Sequence, residues 1–383
     1  MKKIGIITIF NVNNYGAELQ AFALHYKLMS LGYDNEIINY LFFKNPKYKS
    51  EKKSESVLNV SKIRKLKDFI LKCLDKYSRL ANSQVAKKRK ERFDAFYSNN
   101  ARLSKVYDSF SSLYNADLEY DTVIVGSDQV WNPNNNTNLA PYFLTFAKKG
   151  VKKISYASSF GVSKIPTFYF PIYKDWLNNI DFLSTREADG VKIIKEITGR
   201  DATHVLDPTL LLSKQEWEKL SVPYLNNEPY ILLFVFKDSK YITDFAAYLQ
   251  KKTGYKIMRV CKNEMRVESD KKILNIRDFG PLEFLGLYKN ASIVLTSSFH
   301  GTVFSLIFEK PFYTITPANK DNNSRQEGLL SLVELSERLI KEGEEFPDLN
   351  NLEIDFAKAR AIIEREKEES INFLRNALDH KPL

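Results

Sequence analysis

Only four histidines occur among the 383 residues, and one lies where chemistry is usually placed. His300 sits in Thr296-Ser297-Ser298-Phe299-His300-Gly301, between the apolar run Ser292 to Leu295 and a second apolar run from Thr302 to Phe308. An imidazole at such a strand-to-helix junction can bind an anion or move a proton, although a lone histidine can equally be structural. A second stretch, Ser184-Thr185-Arg186-Glu187, places a guanidinium at a predicted strand end. That fork fits a carboxylate or phosphate with two hydrogen bonds, or it can pair with its neighbour Glu187. Gly126-Ser127-Asp128-Gln129-Val130-Trp131-Asn132-Pro133 gathers hydroxyl, carboxylate, amide and indole groups after an apolar strand. Those groups suit a polyhydroxylated ligand such as a sugar, or else form an Asx turn with Trp131 as a core plug. Asn13-Asn14-Tyr15-Gly16-Ala17 precedes a helix, where free amides and the helix dipole favour an anion or a simple cap forms. His25 and His380 carry no expected role, and His204 reads as a structural donor.

Familiar signatures of other chemistries are missing. The sequence has no GxGxxG after the first strand, no P-loop, no HExxH and no GxSxG elbow. Its two cysteines, Cys73 and Cys261, form no CxxC pair, which argues against a disulfide framework or a cysteine zinc site. No metal requirement is expected. Ile4 to Phe10 reads as a first strand rather than a secretory leader, and no uncharged apolar stretch is long enough to span a bilayer. A cytoplasmic protein is the expectation.

The elements that must position these groups follow an α/β rhythm. Lys3 to Phe10 is almost continuously apolar, as for a parallel strand covered on both faces. Leu19, Ala23, Tyr26, Leu28 and Leu31 then recur at helical spacing up to Gly32, and Glu36 to Tyr40 reads as a second strand. Further strands are expected at 122–126, 153–157, 182–185 and 203–206. After a polar stretch from Ser213 to Glu228 the alternation starts again, with strands at 230–236, 255–260, 292–295 and 312–316. The expected organisation is an N-terminal Rossmann-like lobe (1–213), a C-terminal Rossmann-like lobe (228–350) and a closing helix (351–383). Ligands of two such doubly wound lobes are expected in a cleft that they face, at strand C-termini.

Residues 41–115 interrupt this rhythm. The net charge is +10, yet Lys44 to Lys105 alone holds 19 Lys/Arg against 6 Asp/Glu, so one segment carries the whole basic bias. Ile63, Leu66, Ile70, Cys73, Leu74, Tyr77 and Leu80 form an apolar stripe there, which predicts a basic helical insertion in the first lobe. Such a helix favours anionic partners: either a peripheral contact with an anionic membrane face or a merely solvated surface. Nucleic acid is not expected, since no stacking motif accompanies the charge.

Taken in order, several of these stretches resemble the polysaccharide pyruvyl transferase family. They are Asn14-Tyr15-Gly16-Ala17-Glu18-Leu19-Gln20-Ala21, Gly126 to Asn132, Ile154-Ser155-Tyr156-Ala157-Ser158-Ser159-Phe160-Gly161, Arg186-Glu187, Asp207-Pro208-Thr209 and Ser298-Phe299-His300-Gly301. The resemblance implies a GT-B-like pair of Rossmann-type lobes. It also implies a transferase that moves pyruvate from phosphoenolpyruvate, a co-substrate rather than a cofactor, onto sugar hydroxyls as a cyclic ketal. The setting it implies is bacterial exopolysaccharide or cell-surface glycan synthesis, with an acceptor that can be lipid-linked. His300 and Arg186 become the catalytic candidates. Asn14, Tyr15, Gly16, Ser298, Gly301 and Arg325 become donor-binding candidates, and Ser127, Asp128, Gln129, Trp131 and Asn132 acceptor-binding ones. Two other readings stay open: a GT-B glycosyltransferase with a nucleotide-sugar donor, and a non-catalytic sugar- or phosphate-binding module of the same fold.

Overall fold

A computed structural model describes residues 3–50, 83–135, 137–224, 228–236, 239–261, 272–318 and 323–380. The apolar stripe expected between Ile63 and Leu80 lies outside the described residues. The chain divides into two compact units that are not contiguous in sequence. Unit 1 comprises residues 1–69, 97–211 and 365–383, and unit 2 comprises 70–96 and 212–364.

Unit 1 is an α/β layer structure. In chain order its elements are β1 (Ile4–Ile7), α1 (Tyr15–Ser30), β2 (Asn35–Ile37), the last turn of α2 (Ser83–Asn100), α3 (Phe110–Tyr114), β3 (Thr122–Val125), β4 (Lys152–Ser155), α4 (Phe170–Asn178), β5 (Ser184–Thr185), α5 (Ala188–Thr198) and β6 (Thr203–His204). All pairings are parallel, in the order β2-β1-β3-β4. Bridges from Ile154 to Phe182 and from Ser158 to Thr185 extend that order to the β5–β6 pair. Strand β1 is buried at all four positions, which accounts for its unbroken apolar sequence. Helix α1 starts at Asn14, whose side chain accepts from the Gly16 and Ala17 amides, and the chain leaves it through Gly32 at φ +88°.

Unit 2 follows with α6 (Lys214–Leu220), β7 (Tyr230–Phe234), α7 (Lys240–Thr253), β8 (Lys256–Val260), β9 (Ile273–Ile276), α8 (Pro281–Asn290), β10 (Ile293–Thr296), α9 (Phe299–Ile307), β11 (Phe312–Thr316), α10 (Ser324–Leu332), β12 (Leu339–Lys341) and most of the first half of α11 (Ala357–Asp379). Its six strands are again all parallel, in the order β12-β11-β10-β7-β8-β9. Both units are thus doubly wound α/β sheets of the Rossmann-like kind.

Two features depart from the linear division read from the sequence. The closing helix is shared between the units. Arg360 pairs with Glu309 of unit 2, whereas Lys152 donates to the carbonyls of Ala377 and Leu378 within unit 1. Helix α2, within the described part of the basic insertion, is shared as well. Its basic run is largely spent on acids of the chain: Lys88 on Asp278 at 2.7 Å, Lys87 on Glu91, Lys90 on Asp94, and Arg92 on Glu283 at 3.0 Å. Arg89 is buried and donates to the carbonyls of Cys261 and Arg277. This face of the insertion is therefore in good part compensated by acids of the chain, with Lys87, Lys88 and Lys90 still exposed and Arg89 packed inside. No helix among the described residues is long and apolar enough to cross a membrane.

Candidate active site

In a doubly wound sheet, ligands bind beyond the strand C-termini where the winding reverses. Unit 1 reverses between β1 and β3, and unit 2 between β7 and β10. The loops at these two places carry most of the residues singled out in the sequence.

At the unit 1 edge, the loops after β1 and β3 are joined by Thr8, whose hydroxyl donates to the Ser127 carbonyl at 2.7 Å. Gln20 braces the first loop from α1, donating to Thr8 and to the Ile9 carbonyl. That loop bends through Asn11 and Asn13, both in the left-handed region at φ +57° and +53°. It wraps a carboxylate of its own chain. Glu18 Oε1 accepts from the Val12 and Asn13 amides at 2.9 and 3.1 Å, and Oε2 from Asn11 at 3.1 Å. Burial pushes the Glu18 carboxyl up to about 7, with the backbone donors pulling the other way. Asn14, Tyr15 and Gly16 are placed at the start of α1. Tyr15 is buried, Asn14 caps the helix, and the amides of Asn11, Val12 and Asn13 are bonded to the Glu18 carboxyl.

Arg186 lies inside a cluster of carboxylates. Its side chain is fully buried, with Asp207 at 2.8 Å, Glu187 at 3.1 Å and Asp128 at 3.4 Å around it. Ser127 Oγ lies 3.2 Å from the guanidinium and donates to Asp207 Oδ2. Burial works against this charge, and the three carboxylates more than offset it, so Arg186 stays cationic. Through these carboxylates Arg186 ties the strand ends of β3, β5 and β6. Asp207 in turn is fixed by Thr209, whose amide and hydroxyl both donate to Oδ1.

Among the acceptor candidates, the structure separates two groups. Trp131 is a core plug: it is fully buried, stacked on Phe143, and its Nε1–H donates to the Tyr142 carbonyl. Ser127 is buried and committed to the Arg186 cluster. Both side chains are thus buried and engaged within the chain. Asp128 and Gln129 remain half-buried at the edge, with Asn132 donating to the Gln129 side chain at 2.6 Å. Asp128 itself has φ +71°, a backbone conformation that non-glycine residues rarely hold.

The unit 2 edge is built differently. Helix α9 begins one turn earlier than its apolar run suggests, with Ser298 as N-cap accepting from the Gly301 amide at 3.3 Å. His300 therefore sits in the first helical turn, buried, at the positive end of the helix dipole. The turn is fixed by Thr296, whose hydroxyl donates to the Phe234 carbonyl at the end of β7 and accepts from the Ser298 amide. Ser297 accepts from the Phe236 amide, binding the β7 and β10 ends together. From α10, Gln326 donates to the Ser297 carbonyl, so the helix that carries half-buried Arg325 is anchored to the His300 turn. The histidine and its serine and glycine neighbours thus sit at the switch point of their sheet.

Sequence reasoning did not single out Glu18, Thr296 or Gln326. Glu18 was visible only as an acidic residue in a first helical turn, where solvated carboxylates are common. His25 and His204 are structural: His25 bonds Asn35 at 2.7 Å, and His204 lies 3.2 Å from the Arg186 carbonyl. Among the described residues, no group of three or more His, Cys, Asp or Glu side chains is arranged to hold a metal ion.

The fold is similar to that of UDP-GlcNAc 2-epimerase from Methanocaldococcus jannaschii, at TM-score 0.45 and 14% identity over 100% of this chain and 94% of that one. It is similar to UDP-GlcNAc 2-epimerase from Neisseria meningitidis, at 0.46 and 10% over 98% and 94%. An alpha-glucosyltransferase solved with UDP and a 13-mer DNA gives 0.49 and 9% over 98% and 95%. No curated protein matches the sequence. The profile of one family spans residues 14–319, from the helix cap of unit 1 past the His300 helix of unit 2: the chain belongs to the polysaccharide pyruvyl transferases.

Proposed function

We propose that the chain transfers the pyruvyl group of phosphoenolpyruvate to two hydroxyls of a sugar, forming a cyclic ketal and releasing phosphate. The observation that carries this reading is His300 in the first turn of α9, at the switch point of unit 2. Phosphoenolpyruvate bears a phosphate and a carboxylate, and a helix N-terminus with an imidazole suits such an anion. In its imidazolium form His300 stabilises the departing phosphate and gives it a proton. Ser298, Gly301 and Arg325 share the donor role. On unit 1, half-buried Asp128 and Gln129, with Asn132 beside them, suit an uncharged polyhydroxylated acceptor.

The setting we infer is bacterial surface-glycan assembly in the cytoplasm, with a sugar acceptor that is free or carried on a lipid diphosphate. Incubation with phosphoenolpyruvate and a panel of nucleotide-linked and lipid-linked sugars, followed by mass, tests it. The expected result is a product heavier by one pyruvyl ketal, with phosphate released in equal amount. Stabilisation against heat by a nucleotide sugar but not by phosphoenolpyruvate, without ketal product, would instead identify a glycosyltransferase.

A further inference from the structure

We propose that the unit 2 edge binds a tetrahedral oxyanion that keeps a proton, hydrogen phosphate, with the Thr316 hydroxyl and the Gln326 side chain as its selecting groups. The binding claim stands on unit 2 alone. Only the source of the phosphate, the spent donor, rests on the transfer reading above.

Two helices open onto this edge. Helix α9 starts at Phe299 behind its Ser298 cap, and α10 starts at Ser324 after Asn323, which makes no side-chain cap bond. First-turn amides have no acceptor inside their own helix, and Ser298 takes up only that of Gly301. Both ends therefore present donors and positive potential. Gln326 donates to the Ser297 carbonyl at 3.4 Å, which brings the first turn of α10 to the residue before the α9 cap.

Two buried side chains of this edge carry polar atoms with no hydrogen-bond partner among the described residues: Thr316 Oγ1 and Gln326 Oε1. Thr316 is 1% exposed and Gln326 6%, so bulk water does not satisfy either atom. The direction of Thr316 follows from its strand. Tyr313 and Ile315 enter the core under α7, so Thr314 and Thr316 share the opposite face of β11. On that face the Thr314 hydroxyl meets Thr302 of α9 at 2.7 Å. Thr314 is in register with Thr296, so Thr316, two residues on, is level with the Ser298 cap. Its hydroxyl thus points to the start of α9, where His300 lies.

The types of these atoms select the ligand. The group that Gln326 meets at Ser297 is a carbonyl, so the amide turns its nitrogen there and keeps its oxygen as an acceptor. Amides, imidazole and hydroxyl suit an oxyanion, but a buried acceptor among them requires a hydroxyl from the ligand. Hydrogen phosphate brings three acceptor oxygens and one P–OH. Sulfate has no proton at neutral pH and sets a bare oxygen against Gln326 Oε1, which costs about tenfold or more in affinity. The phosphate of the donor ester gains its proton only on leaving. The edge therefore fits the released product better than the bound donor, and free phosphate competes with phosphoenolpyruvate.

Titration calorimetry of the full chain at neutral pH and constant ionic strength tests this, with inorganic phosphate, arsenate and sulfate as probes. The expected result is one site that prefers phosphate and arsenate to sulfate by about tenfold or more. Thr316→Val should weaken phosphate about tenfold, and Gln326→Met should abolish the preference over sulfate. If the methionine variant melts early, the valine variant and the wild-type selectivity decide. Equal affinity of wild type for phosphate and sulfate overturns the proposal, as does no binding of either, or a Thr316→Val chain that binds phosphate like wild type. Phosphate should also inhibit ketal formation competitively with phosphoenolpyruvate, and any other pattern removes the site from the donor edge. A wild-type chain that binds phosphate selectively yet gives no ketal with any acceptor leaves the site standing and defeats only the transfer reading.

Discussion

The two switch points obey one topological rule and are chemically opposite. At the unit 1 edge the loop after the first strand folds around a carboxylate of its own, Glu18, and a buried guanidinium is ringed by Asp128, Glu187 and Asp207. At the unit 2 edge the turn is built from the hydroxyls of Thr296, Ser297 and Ser298 and leads into a helix that bears His300. An edge already rich in negative charge repels an anionic donor and suits a neutral polyol. An edge of hydroxyls, imidazole and helix dipole suits the anion. The position of a loop in a Rossmann-like sheet therefore does not decide its ligand; the charged side chains gathered around it do.

The largest test of this contrast is Arg186→Met. Removing the guanidinium leaves three carboxylates gathered around no cation, two of them buried, and loss of one member of a buried ion pair costs about 3–5 kcal/mol. Denaturant titration should show unit 1 losing that much stability. A variant as stable as wild type would mean that the cluster is not held by its arginine. His300→Ala probes the opposite edge. Its expected effect is on turnover, a fall in kcat of about 10²–10⁴-fold, with a small change in melting temperature. Near wild-type ketal formation would remove His300 from the chemistry.

The same contrast explains what was legible in the sequence. The doubly wound alternation was readable because parallel strands buried on both faces, such as Ile4–Ile7 and Tyr230–Phe234, are apolar without a break. Strands β9 and β12 escaped notice because edge strands such as Ile273–Ile276 mix exposed and buried positions in a short span. His300 was readable as a junction residue, though its helix begins at Phe299, since Ser298 caps it from within the polar run. Arg186 and Trp131 were placed at the correct strand ends, but their partners within the chain were not foreseen. A guanidinium or an indole in a polar stretch looks the same whether it meets a ligand or the chain's own carboxylates and carbonyls. Only the fold brings Asp207 and Tyr142 to them. The two-part membership of α2 and α11 was likewise invisible, because it depends on contacts such as Lys152 with Ala377 that span most of the chain.

Glu18 offers a pH test of the buried carboxyl at the unit 1 edge. Its carboxyl is raised from 4.5 to about 7 on folding, so the folded chain holds the proton more tightly than the unfolded one. The associated stability is fully present below the ordinary glutamate range and is lost as pH rises from about 4.5 to 7. A shift of this size corresponds to about 3 kcal/mol. Melting temperature followed across that window should fall more steeply for wild type than for Glu18→Gln, which has no such proton. Parallel curves would show that the buried carboxyl titrates like an exposed one.

The smallest expected effect sharpens the unit 2 side of the comparison. Gly301 packs so closely on Thr296 that a Cβ there would lie 2.0 Å from its Oγ1 and 3.0 Å from the Tyr288 hydroxyl. Thr296 is the hydroxyl that joins β7, β10 and the Ser298 cap, so a methyl group at 301 must push apart the contacts that set the His300 turn. Overpacking of this kind costs about 1–3 kcal/mol. Gly328 is the matched control: it lies in helix α10, where a methyl group would meet nothing within 4 Å, and alanine there should stabilise by up to about 1 kcal/mol. Gly301→Ala should therefore lower the melting temperature and kcat together, whereas Gly328→Ala should raise the first and leave the second alone. If both substitutions behave alike, the hydroxyl-built turn is not tight enough to orient His300, and the difference between the two edges reduces to charge.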